Sequence, residues 1–127
     1  MDKAAMVSLD ITRGSELLDA LDRANLKVRV AIWMFLSEYE DWRLVVSARQ
    51  LDSLNLRDAY RLLNDTLAAA GFTPEKTPPI LILPLTDPSM KELRQLFSKA
   101  RSVDGMRLGG QMIGDRFVQD AYVYRIS

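Results

Sequence analysis

The sequence predicts an α+β domain with a mixed, mostly antiparallel sheet of about five strands and helices on one face. Three observations carry that prediction. The apolar period switches repeatedly between the helical spacing of three to four residues and the alternation of a strand. Two short connections join neighbouring strand patterns, as antiparallel hairpins require. The 127 residues show no repeat, low-complexity tract or linker, so residues 1–127 read as one domain.

The first helix is read from Gly14-Ser15-Glu16 into Leu17, Leu18, Leu21 and Ala24. Met6 and Leu9 extend its stripe back toward Lys3, and Asn25 suits the left-handed end. Val28, Val30, Ile32, Met34 and Leu36 then alternate with Ala31, Trp33 and Phe35. Both sets are apolar, which predicts an interior strand covered on both sides. Ser37 to Asp41 is a short polar connection into a second strand through Trp42, Leu44, Val46 and Ala48.

Asn55 followed by Asp58 opens the second helix, whose stripe is Leu56, Ala59, Tyr60, Leu63, Leu67 and Ala70, with Gly71 as the stop. Thr73 to Pro79 reads as an extended loop and Ile80 to Leu83 as a short apolar strand ended by Pro84. Asp87-Pro88 starts the third helix, with Met90, Leu93, Leu96, Phe97 and Ala100 inward. Met106 to Ile113 and Arg116 to Ile126 form a last hairpin about the Gly114-Asp115 turn, and Gly109-Gly110 marks a bulge or close backbone approach. The resulting order is α-β-β-α-β-α-β-β. If three helices cover one sheet face, the two-sided apolar strand needs a second cover, and a homodimer is predicted to supply it.

Composition narrows the chemistry. The chain contains no cysteine and no histidine, which removes thiol nucleophiles, thiolate and imidazole metal sites, and the Ser-His-Asp arrangement. Any catalysis would run on carboxylates, Lys, Arg, Tyr, Ser or Thr. Seventeen basic residues balance 17 acidic ones, so nucleic acid is not the predicted main ligand. No apolar run approaches the about 20 residues of a membrane span, and no signal segment is read, so a cytoplasmic location and no membrane partner are expected.

Glu38, Glu40 and Asp41 are the candidate hard-cation ligands, although the spacing is not that of a calcium loop and a solvated turn is the preferred reading. Asp41, Asp52 and Asp58 are the candidates for a nuclease-like magnesium centre. Lys91, Arg94, Lys99 and Arg101 are candidates for phosphate or an acidic partner, against the simpler reading of a solvated helix face. Gly105, Gly109, Gly110 and Gly114 lack the strand-to-helix context of a phosphate loop and read as turn and bulge residues. Trp33, Phe35, Trp42, Tyr122 and Tyr124 are the interface candidates. Asp120, Tyr122, Tyr124 and Arg125 suggest a polar network on the last strand. No cofactor is predicted.

Three groups of residues carry a resemblance: Leu26 to Trp33 with Asp41 to Val46, Arg57 to Arg61, and Gln119 to Arg125. Together they resemble a group of small uncharacterised bacterial proteins, over most of the chain from Gly14 to Ile126. That resemblance implies a bacterial or mobile-element origin and brings no activity, cofactor or catalytic residue with it. The expected role is a non-enzymatic domain acting through protein contacts, including its own dimer. The alternative is a carboxylate and magnesium dependent nucleic-acid-processing domain.

Overall fold

The computed structural model describes residues 8–127. The expected start of the first helix near Lys3 and the Met6 position of its stripe lie outside the described residues. Helix α1 spans Ser8–Arg23 and is followed by strands β1 (Val28–Leu36) and β2 (Asp41–Ala48). A one-turn helix α2 (Arg49–Asp52) and helix α3 (Leu56–Ala69) come next. Strand β3 (Ile80–Ile82), helix α4 (Pro88–Leu96) and strands β4 (Arg107–Leu108), β5 (Gln111–Ile113) and β6 (Arg116–Ile126) complete the chain.

The sheet has six strands in the order β3-β2-β1-β6-β4, with β5 also on β6. Every pairing is antiparallel except that of β3 with β2. The α+β class, the interior position of β1 and both hairpins match the sequence reading. The sixth strand arises because the single strand expected over Met106 to Ile113 is broken at Gly109-Gly110. There the chain lies against β6 so closely that a Cβ on Gly109 would stand 2.5 Å from the Gln119 carbonyl oxygen. On the other side of that contact, β6 carries an extra residue between its partners for Phe35 and Leu36, so both strands bulge together.

Side-chain alternation along β1 divides the molecule into two apolar layers. Ala31, Trp33 and Phe35 pack with Trp42, Leu44 and Val46 beneath α1, α2 and α3, through Leu17, Leu21, Leu51, Leu63 and Leu67. Val30, Ile32, Met34 and Leu36 pack with Val45, Val118, Ala121 and Val123 beneath α4 and its flanking loops, through Leu83, Leu85, Met90, Leu93 and Val103. The helices therefore lie on both faces, not one. A bulge at Arg29 also moves Val28 to the α1 side, away from Val30. The second cover that β1 requires is thus supplied from within the chain, by α4. The reason for expecting a second copy over that face falls away.

Local signals explain the element ends. Asn55 Oδ1 accepts the Asp58 amide at 2.8 Å and caps α3. The Asp87 carboxylate accepts the Ser89 amide at 2.9 Å and caps α4 ahead of Pro88. Helix α4 stops at Leu96, earlier than the apolar spacing through Ala100 suggested, and leaves Leu96 exposed. The outer side of β3 is met by α3, whose Tyr60 hydroxyl accepts the Ile82 amide at 2.9 Å.

Candidate functional site

At one end of the sheet, the β1–β2 loop and the β5–β6 turn lie side by side. Gly114 takes a φ of +63°, which a two-residue hairpin turn needs at that position. A side chain there would also strike the backbone of Pro88 and Ser89, so the turn rests directly on the start of α4. Arg116, the first residue after the turn, is the hub. One of its terminal nitrogens donates to both Asp87 oxygens at 2.9 and 2.7 Å and to Ser89 Oγ at 3.0 Å. Glu38 and Asp115 stand 3.7 Å from the same guanidinium. Burial opposes its charge, yet the bonds to Asp87, with the nearby Asp115 and Glu38 carboxylates, outweigh burial and hold its pKa above the ordinary value.

A cavity of about 340 Å³ opens here, lined by Leu36, Ser37, Glu38, Asp115, Arg116 and Phe117. Several polar groups in and around it are committed to structure. Ser89 Oγ donates to the Ile113 carbonyl at 2.7 Å and is fully buried. Glu92, on α4, accepts the Gly114 amide. Glu38 pairs with Arg116, while Asp41 binds its neighbour's amide on Trp42 at 2.8 Å and faces Arg43 at 3.5 Å. The cation-site candidates Glu38, Glu40 and Asp41 are exposed, and among the described residues no three acidic groups are placed to share an ion. Asp41 opens β2 and Asp52 lies four residues beyond its other end, so the length of the strand, about 23 Å at the usual rise per residue, stands between them. Asp52 accepts the Leu85 amide at 3.0 Å and Asp58 belongs to the α3 cap, so the proposed magnesium triad does not assemble.

The aromatic interface candidates lie inside the single chain. Trp33, Phe35, Trp42 and Tyr124 are buried, and Tyr122 is half-buried beside them. An extra residue in β6 between the partners of Ala31 and Ile32 places Tyr124 at a bulge. Its hydroxyl accepts Trp33 Nε1–H at 3.0 Å and donates to the Ile11 carbonyl at 2.5 Å, tying α1 to the sheet. Burial, the largest cause, pushes the Tyr124 hydroxyl up to about 12, against the Trp33 bond that favours ionisation. Phe35 meets Trp42 edge to face at 5.7 Å, and Trp42 Nε1 finds no acceptor among the described residues.

The polar network expected on β6 is three separate contacts: Arg107 with Asp120, Arg125 with Asp22, and Tyr124 with Trp33. The Arg125 guanidinium bonded to Asp22 holds that carboxyl below its usual value, despite partial burial.

The expected phosphate candidates do not converge. Lys91, Lys99 and Arg101 are exposed and spread along and beyond α4, while Arg94 Nε donates to the Ser127 carbonyl at 2.9 Å.

Two features escape a linear reading. Met112 on β5 and Phe117 on β6 are cross-strand partners, 57% and 44% exposed, at the outer edge of the sheet. At the far end of the sheet, Lys27, Arg29 and Arg49 surround a cleft of about 280 Å³. The signal for the second was the hairpin itself, since antiparallel pairing brings the start of β1 against the end of β2. For the first, the turn at Gly114-Asp115 placed Met112 opposite Phe117. No protein-family model, curated protein or solved structure matches the chain.

Proposed function

We propose that this chain is a non-catalytic domain that acts through protein contacts, beginning with a second copy of itself, joined edge to edge through β5. The exposed Met112–Phe117 pair carries the reading. In a two-residue hairpin Ile113 and Arg116 form the closing hydrogen-bonded pair, so the next pair, Met112 and Phe117, is the non-bonded one. The Met112 N–H and C=O then point away from β6, along an edge that no other strand among the described residues pairs. An unpaired edge with two apolar side chains beside it is a template for another strand. A two-fold partner offers the same edge in antiparallel sense, with Met112 and Phe117 from both copies meeting across the seam.

The non-catalytic part of the proposal is supported by the commitments of Ser89, Asp87, Arg116, Asp52 and Tyr124 to structural bonds. A bacterial setting is part of the same proposal and rests on the segments through Trp33, Arg61 and Arg125 described above; a cytoplasmic one is proposed beside it because no described helix is long and apolar enough to cross a membrane. The interface moves from the Trp33 and Phe35 face, which α1 and α3 occupy, to the β5 edge.

Sedimentation velocity tests the edge. The native chain is expected to dimerise at high micromolar concentration, and Met112→Lys with Phe117→Lys is expected to give a monomer with unchanged circular dichroism. A native chain that stays monomeric there, or a double variant that still dimerises, overturns the proposal.

A further inference from the structure

The neutral net charge conceals a cleft of one sign. Lys27 and Arg29 enter β1, Arg49 leaves β2, and the antiparallel register brings Val28 opposite Ala48 so that all three cations meet. Among the described residues, none of the three has a carboxylate within 4.0 Å, although Arg43, Arg107, Arg116 and Arg125 each do. The cleft walls are fixed. The Gln50 side chain accepts the Lys27 amide at 2.9 Å and donates to the Asn25 carbonyl at 3.2 Å, so it stitches the α1–β1 bend to the start of α2. Asn25 holds that bend in the left-handed conformation at a φ of +61°. Arg29 is half-buried and steadied by a bond from Nε to Ser127 Oγ at 3.3 Å, which leaves its terminal nitrogens without an acceptor among the described residues.

Three like charges held around one cavity repel each other, and an ordinary solvated surface would intersperse acids among them. We infer that this cleft is a binding site for a phosphoryl oxyanion, either free phosphate or the phosphate group of a small molecule. A carboxylate would be neutralised by one of the three cations, whereas a phosphate dianion has charge and oxygens for two guanidinium forks and an ammonium. The volume of about 280 Å³ admits a phosphate with a small organic group. A polynucleotide is not the occupant we assign, because acidic Glu38, Glu40 and Asp41 gather at the opposite end of the same hairpin and leave no continuous basic track.

Thermal unfolding of the full chain with inorganic phosphate tests this, with sodium chloride at equal ionic strength as the control. A native-state ligand must raise the midpoint as its concentration rises. Phosphate is expected to raise it and chloride not to. Amide chemical shifts of Lys27, Arg29 and Gln50 are expected to move in the same titration. Lys27→Gln with Arg49→Gln changes two exposed side chains, so the variant is expected to fold, to lose the phosphate response by tenfold or more in apparent affinity, and to be no less stable without phosphate because repulsion is relieved. Phosphate and chloride giving equal midpoints, or the variant retaining the response, overturns the site. A small phosphate monoester binding more tightly than phosphate would identify the small molecule as the source, and the reverse order the free ion. A single-stranded oligonucleotide binding more tightly than either would overturn the assignment to a small phosphoryl ligand.

Discussion

Tyr124 shows how much one side chain can organise. Its hydroxyl serves Trp33 and Ile11 together, and Gly14 of α1 packs directly on it. Alanine in place of a helical glycine ordinarily stabilises by up to ~1 kcal/mol through backbone entropy. At position 14 the added Cβ would press on the Tyr124 hydroxyl and stand 2.8 Å from Trp33 Nε1, in a buried contact that both hydrogen bonds hold in place. Gly14→Ala is therefore expected to destabilise by about 1–3 kcal/mol, the range for overpacking, in chemical denaturation. Tyr124→Phe leaves the Trp33 donor and the Ile11 carbonyl without their partner, and a loss of about 1–3 kcal/mol follows. The same residue sets an alkaline limit. Its folded pKa of about 12 exceeds the ordinary 10.0, so folding favours the protonated hydroxyl. That stability is fully present below pH 10 and is lost as pH rises toward 12. Denaturation midpoints measured across that interval should fall steeply in the native chain and less so in Tyr124→Phe.

Among elements, the decisive contact is the β5–β6 turn against the start of α4. Asp87 caps α4 and also holds Arg116, so one carboxylate joins a helix end to a strand end. Arg116→Met would leave that half-buried carboxylate without its cation. A loss of about 2 kcal/mol is expected from the unpaired group. Adding Asp87→Asn should then cost less than it does in the native background, which a double-mutant cycle reads directly. The sequence carried the local parts of this arrangement in plain view. Asp87-Pro88 announced the helix start, Gly114-Asp115 the turn, and Asn55 with Asp58 the other cap, because each depends on neighbours within four residues. The joining of Arg116 to Asp87 spans 29 residues and left no mark in the local pattern. The same limit hid both β6 bulges, which are properties of a pair of strands, and α2, whose single turn does not repeat the period that would reveal it. The cation and phosphate candidates are like charges close together along the chain. The Lys27, Arg29 and Arg49 cleft instead gathers residues from the two ends of a hairpin.

At the scale of the whole molecule, the two-sided strand reads differently from its sequence. Apolar residues on both faces of β1 gave a correct account of burial, but they could not say whether the second cover was another molecule or a later helix. The answer depends on α4, more than 50 residues along, crossing to the opposite face from α1 and α3. The consequence is that both layers share the central strands β1, β2 and β6, with Ile32 and Trp33 of β1 adjacent in sequence and in different cores. Neither layer can lose β1 without the other losing half of its sheet surface, so unfolding should be a single cooperative event. Both tryptophans, Trp33 and Trp42, lie in the α1–α3 layer. Leu93, fully buried in the α4 layer, is therefore a probe at a distance. Leu93→Ala should destabilise by about 2–5 kcal/mol through its cavity. Because the layers are coupled through β1, the tryptophan fluorescence midpoint should fall by the same amount as the midpoint followed by far-ultraviolet circular dichroism. A fluorescence transition that stays at its native position while the dichroism splits into two steps would show that the layers unfold separately, and that β1 is held by the α1–α3 layer alone.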